Sequence, residues 1–121
     1  MLLRKRGMTF AYGNEIYRIG QWIAALPESD YGGLYGIVLQ IRDGEDKETE
    51  NETPDIYCCF KPPSDPNIIV KLEENFSELY GCTKRLRDLS LDLVIMSPAE
   101  IRKCTENELR IFSNEKLLLY D

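Results

Sequence analysis

The chain has 121 residues, of which 43% are hydrophobic and 30% are charged, and its formal net charge is −6. This length fits one domain with a modest core, and no apolar run approaches the roughly 20 residues of a membrane span. The chain has no histidine, which excludes Ser-His and Cys-His catalytic pairs, and it has no glycine-rich phosphate loop.

The first residues, MLLRKRGMTF, contain three consecutive basic residues that no apolar segment follows. A secretory signal peptide needs about 7–15 apolar residues at that point. We therefore expect a cytoplasmic protein with no targeting segment and no membrane association. We expect residues 1–7 to be a flexible leader and residues 8–121 to form a single domain.

Three segments in the first half have the composition of β-strands. Residues 15–24 are rich in β-branched and aromatic side chains, and a kink is expected at Gly20. Residues 34–44 alternate like a long, half-buried strand, and Gly36 within them indicates a bend or a close backbone approach. Residues 55–63 form the third segment. We expect the second and third segments to pair as an antiparallel hairpin.

One long helix is predicted in the second half of the chain. Residues 66–80 carry an apolar stripe with helical spacing, and Pro66 suits a first helical turn. Ser64 or Asp65 can cap the N-terminus, and Gly81 ends the helix. A short helical turn is expected at residues 84–89.

The remaining segments are shorter. Residues 89–97 include a run that is apolar on both faces, which predicts a central strand of the sheet. Capping boxes at Ser97–Glu100 and Thr105–Glu108 predict short helices over residues 98–104 and 106–112. Residues 113–121 fit either a closing strand or a loose end.

The segment RDGEDKETENETPD spans residues 42–55 and is strongly acidic. Between Asp43 and Asp55 it holds seven acidic residues and one lysine, so the rest of the chain sums to zero charge. An EF-hand loop starting at Asp43 would need glycine where Glu48 stands. A flexible, solvated hairpin loop is favoured, and a weak divalent-cation site or a contact for a basic partner are the alternatives. The acidic candidate residues are Asp43, Glu45, Asp46, Glu48, Glu50 and Glu52.

The four cysteines are Cys58, Cys59, Cys82 and Cys104, and none forms a Cys-x-x-Cys pair. Neighbouring residues of a strand point to opposite faces, so Cys58 and Cys59 cannot easily share a metal ion. We therefore predict no metal and no other cofactor. Free thiols are typical of a reducing compartment.

Two sets of side chains are candidates for binding. Trp22, Tyr31 and Tyr35 could form an exposed aromatic platform for a peptide or a single-stranded nucleic acid, although core packing is their commoner fate. Five basic residues could form a patch for nucleic acid, although scattered solvated positions are the commoner arrangement. These residues are Lys84, Arg85, Arg87, Arg102 and Lys103.

The pattern YRIGQWIAALPESDYGGLYGIVLQIRDG, followed by PDIYCCF, resembles the core of a small SH3-like barrel of the KOW type. The resemblance covers residues 16–60, and the glycines that lead into the apolar strand at residues 33–38 carry it. The chain departs from the family in its longer turn after that strand and in the helix at residues 66–80. The whole chain also resembles uncharacterised small proteins of Firmicutes and their mobile elements. Such barrels commonly bind proteins or nucleic acids, which is what the resemblance implies here.

Taken together, the patterns predict an α+β domain. We expect a small, curved, mostly antiparallel sheet, with an SH3-like barrel as a candidate, the helix at residues 66–80 packed on it, and short C-terminal helices. The expected function is a non-enzymatic interaction module whose partner is another protein. The alternatives are a nucleic-acid accessory protein of a mobile element and an enzyme that depends on carboxylates.

Overall fold

The computed structural model describes residues 1–112 and confirms the α+β class. The prediction for residues 113–121 lies outside the described residues. The helices are α1 (Pro66–Tyr80) and α2 (Glu106–Phe112). The strands are β1 (Leu2–Leu3), β2 (Thr9–Tyr12), β3 (Glu15–Arg18), β4 (Trp22–Ala25), β5 (Tyr35–Arg42), β6 (Asp55–Phe60), β7 (Val94–Met96) and β8 (Ile101–Lys103).

Six strands form one antiparallel sheet in the order β7-β6-β5-β4-β8, with β1 paired to β5 beside β4. Strands β4 and β1 pair with the same side of the long strand β5. Strand β4 lies along its first half and β1 along its end. Strands β2 and β3 form a separate two-stranded sheet. The main sheet stays open, so the described residues do not close into the barrel that the SH3-like candidate implied.

The predicted hairpin of β5 and β6 is confirmed and forms the centre of the sheet. Its register runs from Gly36 opposite Phe60 to Arg42 opposite Asp55, with one irregularity between Val38 and Gln40. A Cβ atom on Gly36 would lie 2.5 Å from the carbonyl oxygen of Cys59. The predicted close backbone approach at Gly36 is therefore present.

The long helix α1 has the predicted bounds. The Asp65 side chain accepts a 2.9 Å hydrogen bond from the backbone N–H of Asn67, and Pro66 opens the first turn. Gly81 ends the helix in the left-handed region, at φ 69°. Leu72 and Phe76 of this helix are buried in the hydrophobic core against the sheet. No helix within the described residues is both long and apolar enough to cross a bilayer.

Two predictions for the C-terminal part are wrong. Strand β7 lies at an edge of the sheet and not at its centre, and of the expected residues 89–97 it includes only 94–96. The expected helix over residues 98–104 is a single 3₁₀ turn, Pro98–Glu100, followed by strand β8. The Ser97–Glu100 capping box does form, but pairing of β8 with β4 ends the helix after one turn.

The start of the chain is attached to the fold. Residues 1–7, expected as a flexible leader, include β1, and the backbone N–H of Gly7 donates a 3.0 Å hydrogen bond to the carbonyl of Ile19. The expected strand over residues 15–24 is divided at Gly20, whose φ is 97°. Strand β3 precedes this point and pairs with β2, which the sequence analysis did not predict.

Candidate functional site

A groove lies between the C-terminal half of α1 and the edge strand β7. It holds about 510 Å³ and presents mainly aromatic and aliphatic side chains. Its mouth carries Tyr80 and Leu93, whose exposed fractions of 62% and 52% are large for apolar side chains. We call this feature the aromatic groove. The lining residues that define it are Tyr31, Phe76, Tyr80, Lys84, Leu93 and Ile95.

A row of rings builds one side of the aromatic groove. The Tyr31 ring stacks on Phe60, with 5.4 Å between centroids, and meets Phe76 at 5.0 Å. Phe76 and Tyr80 lie four residues apart on α1, so they share one side of the helix, with centroids 6.4 Å apart. Burial raises the pKa of Tyr31, which keeps its phenol neutral. The row therefore leads from the buried Phe60 to the exposed Tyr80.

Lys84 places a positive charge at the mouth of the aromatic groove. Its ammonium nitrogen lies 4.9 Å from the centroid of the Tyr80 ring, within range of a cation–π interaction. The segment that contains Lys84 is held against α1, because the backbone N–H of Lys84 donates a 2.8 Å hydrogen bond to the hydroxyl of Ser77. Asp88 also lines the groove, so both signs of charge are present there.

A second cluster joins α2 to the sheet. The Trp22 ring stacks on Phe112 with centroids 4.5 Å apart and an angle of 12°, and Tyr35 meets the same ring at 5.0 Å. Arg102 donates two hydrogen bonds of 2.8 and 2.9 Å to the carboxylate of Glu108, and the Tyr35 hydroxyl donates a third of 2.8 Å. We call Trp22, Tyr35 and Arg102 the helix seat.

The electrostatics of the helix seat favour a charged Glu108. Hydrogen bonds from Arg102 hold the pKa of this carboxyl well below its usual range, and the backbone N–H of Thr105 adds another at 2.8 Å. The hydrogen bond to Glu108 raises the pKa of Tyr35, with burial as a second cause. The Thr105 hydroxyl accepts a 3.2 Å hydrogen bond from the backbone N–H of Glu108, so the predicted capping box is confirmed.

The predicted aromatic platform is divided between these two clusters. Trp22 and Tyr35 meet at the helix seat, where α2 covers them, whereas Tyr31 lies in the aromatic groove. Each of the three side chains is partly buried. They therefore do not form one exposed surface.

The predicted basic patch is also divided. Lys84, Arg85 and Arg87 follow α1 on the way to the edge strand β7, whereas Arg102 and Lys103 lie on β8 at the opposite edge. Several of these charges are exposed but paired with a carboxylate. Arg85 faces Glu73 at 3.7 Å, Arg102 faces Glu108 at 2.8 Å, and Lys103 faces Glu15 at 3.4 Å.

The acidic segment is organised around one buried carboxylate, that of Asp55. Its oxygens accept hydrogen bonds from the backbone N–H groups of Glu48 at 2.7 Å and Thr49 at 3.1 Å, and from the Thr49 hydroxyl. Lys47 adds an ion pair at 3.1 Å. Burial acts to raise the pKa of Asp55, but these donors outweigh it and lower the pKa to about 2. The segment is therefore anchored and is not a loose connection.

The candidate acidic side chains themselves point outward. Glu45, Asp46, Glu48, Glu50 and Glu52 are exposed and Asp43 is half-buried. Two of them are tied to the sheet. Glu48 accepts a 2.5 Å hydrogen bond from the Tyr57 hydroxyl and faces Arg42 at 3.1 Å, and the Asp46 carboxylate lies 2.5 Å from the N-terminal ammonium group of Met1, next to β1. Burial and the hydrogen bond to Glu48 raise the pKa of Tyr57 to about 12. Within residues 1–112 no group of three or more Cys, Asp or Glu residues could hold a metal ion.

The cysteines are free thiols. Cys58 and Cys59 are buried in the central strand β6, and burial raises the pKa of both thiols. Burial also raises the pKa of Cys104 to about 11. Because the thiolate is the nucleophilic form, these three residues are poorly suited to covalent catalysis. Cys82 is exposed on the segment after α1.

Comparison with protein-family models, with curated proteins and with solved structures finds no significant match to this chain. The resemblance to KOW-type barrels and to small proteins of Firmicutes stays a prediction.

The partners that complete each cluster could not be predicted from the sequence patterns. Phe76 and Tyr80 were identified as parts of an apolar stripe on α1, but not as the side of a groove. The available signal was the position of Tyr80, one helical turn after Phe76 and at the end of the predicted helix. The capping box predicted a local role for Glu108 but not its contact with β8, and Phe112 was not predicted to take part, although their spacing of four residues places them on one face of the predicted short helix.

Proposed function

We propose that this chain is a non-enzymatic interaction module that binds an extended segment of a partner protein in the aromatic groove. The observation that carries the proposal is the pairing of exposed apolar side chains, Tyr80 and Leu93, across a concave surface beside the edge strand β7. Large apolar side chains at the mouth of a groove are typical of sites that bind protein segments.

The aromatic groove offers an anchor for apolar side chains of the partner. Fully burying one large apolar side chain contributes about 1.5–3 kcal/mol to the free energy of binding. Burial of one or two such side chains of the partner would therefore offset part of the entropic cost of association. The Tyr31 and Phe76 rings supply a rigid floor, because each is packed against another ring. A rigid floor lowers the ordering cost of binding.

The edge strand β7 supports an extended conformation of the bound segment. Within residues 1–112, no strand pairs with the outer edge of β7. An exposed edge can take up the backbone of another chain as an added strand, while neighbouring pockets select its side chains. Lys84 at the groove mouth would favour a carboxylate or a carbonyl oxygen of the partner.

Affinity purification of partners from the native host tests this proposal. The Tyr80→Ala variant is compared with a matched control. Leu79→Ala is that control, because Leu79 is 61% exposed on the same helix but does not line the aromatic groove. We expect Tyr80→Ala to capture at least tenfold less partner protein than the wild-type chain and Leu79→Ala do. Equal capture by the two variants would contradict a role for the groove.

The other predicted functions have less support from the geometry. The basic residues stand in two groups and several face carboxylates, which weakens the case for a continuous phosphate-binding surface. Retention of the chain on DNA or RNA at about 50 mM salt would favour the nucleic-acid alternative. The free thiols agree with the proposed cytoplasmic location, since they are typical of a reducing compartment.

A further inference from the structure

Two hydrogen bonds at the end of β6 show which neighbour each residue of that strand faces. The Phe60 N–H donates a 2.7 Å hydrogen bond to the carbonyl of Leu91, and the Lys61 N–H donates one of 2.8 Å to the carbonyl of Tyr35. Leu91 lies in the segment that leads into β7, whereas Tyr35 begins β5. The backbone groups of successive residues point to opposite sides of a strand. The backbone groups of Phe60 and Cys58 therefore face β7.

The same alternation defines the outer edge of β7. Cys58 lies opposite Val94 and Ile56 lies opposite Met96, so these two pairs exchange the hydrogen bonds between β6 and β7. Ile95 lies between them, and its N–H and C=O consequently point away from β6. Because no strand of residues 1–112 pairs with that edge, this donor and this acceptor can pair with another backbone.

The aromatic groove lies on one face of this edge. Val94 packs in the core with Leu72 and Phe76 of α1, and it also borders the groove. Directly opposite residues of paired strands point their side chains to the same face of a sheet. A strand added with one residue opposite Ile95 would therefore place the two side chains that flank this residue on the face of Val94, in the aromatic groove.

Lys84 favours one sign of charge in such a strand. Its ammonium group lies over the Tyr80 ring, and within the described part of the chain it pairs with no carboxylate. Asp88, which also lines the groove, already accepts a 2.9 Å hydrogen bond from the backbone N–H of Arg85. A carboxylate at the end of the bound strand nearest Lys84 would supply the missing ion pair, so the mouth favours an acidic segment.

We infer that the ligand of the aromatic groove is an acidic segment that adds to β7 as an antiparallel strand, with one residue hydrogen-bonded to both backbone groups of Ile95. This inference rests on the proposed function and specifies its ligand. The segment has the pattern apolar–x–apolar beside a carboxylate, and x is not proline because its N–H is required. Antiparallel pairing continues the pattern of the main sheet, and it lets a single residue exchange both hydrogen bonds with Ile95.

A peptide of the sequence Glu-Thr-Leu-Thr-Leu-Thr-Glu, acetylated and amidated at its ends, is the probe for the full-length chain. Its central threonine takes the position of x, and its two leucines point into the aromatic groove. Both ends carry a carboxylate, so either end can lie near Lys84. We expect an NMR titration to show saturable binding at millimolar concentration or below, with the backbone amide of Ile95 among the signals that shift.

N-methylation of the peptide separates strand pairing from apolar contact. A methyl group on the nitrogen of the central threonine removes the N–H that the carbonyl of Ile95 accepts, and we expect binding to weaken at least tenfold. The same methyl group on the leucine that follows is the matched control, because this nitrogen faces away from β7 in an antiparallel strand. The methylated leucine should leave binding nearly unchanged.

Three variants of the protein complete the test. Lys84→Gln should weaken binding of the peptide severalfold, whereas Lys71→Gln should not, because Lys71 is exposed on α1 but does not line the aromatic groove. Tyr80→Ala should weaken it at least tenfold. If Tyr80→Ala weakens binding but the two methylated peptides bind equally well, the groove binds the segment without strand pairing, so the inference fails and the proposed function stands.

Three other results would overturn the inference. The first is the absence of saturable binding at millimolar peptide. The second is the reverse order of the two methylated peptides, which indicates a parallel strand. The third is an Ile95 amide that is protected from hydrogen exchange before any peptide is added, because another part of the protein would then already occupy the edge.

Discussion

The ammonium group of Lys47 lies 3.1 Å from the carboxylate of Asp55, and the two side chains are 11% and 1% exposed. Lys47 also donates hydrogen bonds to the Thr49 hydroxyl at 3.1 Å and the Asn51 side chain at 2.9 Å. The one lysine in the most acidic stretch of the chain thus connects the turn to the buried carboxylate at the start of β6. The segment that carries the net charge is folded around this pair.

Replacing Asp55 with Asn should destabilise the protein in a manner that depends on pH. The folded-state pKa of Asp55 is lowered from 3.8 to about 2, so ionised Asp55 stabilises the fold. This difference corresponds to about 2 kcal/mol. The contribution is fully present above about pH 4 and is lost as the pH falls through about 2.

Urea unfolding at several pH values measures this effect. We expect the free energy of unfolding of Asp55→Asn to lie about 2 kcal/mol below that of the wild-type chain at pH 6, and we expect the gap to narrow towards pH 2. A gap of the same size at pH 6 and pH 2 would show that the charge of Asp55 does not contribute.

Replacing Lys47 with Met should be costly although the residue lies in a surface loop. The substitution leaves the Asp55 carboxylate buried with fewer donors, and breaking a buried pair typically costs about 3 kcal/mol or more. Glu50→Gln is the matched control, because Glu50 is exposed in the same loop. Thermal melts of the two variants should differ by several degrees, and equal melting temperatures would mean that Lys47 is not part of the anchor.

Replacing Gly36 with Ala should weaken the centre of the sheet. The added Cβ atom would lie 2.5 Å from the carbonyl oxygen of Cys59 and 2.8 Å from the Phe60 ring, so β5 and β6 must move apart. We expect a loss of about 1–3 kcal/mol in the free energy of unfolding, as for other overpacked positions. Chemical denaturation measures the loss, and an unchanged midpoint would contradict the close approach.

Local signals in the sequence predicted the local elements well. Asp65, Pro66 and Gly81 are neighbours of the helix that they start and end, so the bounds of α1 could be inferred without its surroundings. The alternation in residues 34–44 likewise predicted β5, although the irregularity between Val38 and Gln40 moves burial from the face of Gly36 and Val38 to that of Ile41. The hairpin with β6 followed from the order of the two strands along the chain.

Elements that depend on distant partners were mispredicted. The capping box at Ser97–Glu100 forms, but whether a helix continues after it depends on β4, about 75 residues earlier in the chain, which pairs with β8 instead. Strand β7 looked central because its run is apolar on both faces. At the sheet edge, Val94 and Met96 are buried in the core beside β6, whereas Leu93 remains exposed at the groove.

The contacts of the candidate binding residues also depend on distant parts of the chain. Trp22 and Tyr35 could be chosen as candidates from their residue types, but their meeting with Phe112 is a tertiary contact that no spacing in the sequence contains. The seven acidic residues indicated a solvated loop, since a count of charges does not show that Asp55 is buried. Lys47, the one lysine among them, was the available signal that a carboxylate of this segment is paired.

Site-specific photo-crosslinking in the native host tests the central claim, partner binding in the aromatic groove, most directly. A photoreactive amino acid replaces Leu93 at the groove mouth in one variant and Val70 on α1 in another, since these positions are 52% and 53% exposed and only Leu93 lines the groove. We predict that position 93 gives a discrete protein adduct whose crosslink maps to one extended segment, and that position 70 does not. Adducts of equal yield at both positions, or none at position 93, would contradict partner binding in the aromatic groove.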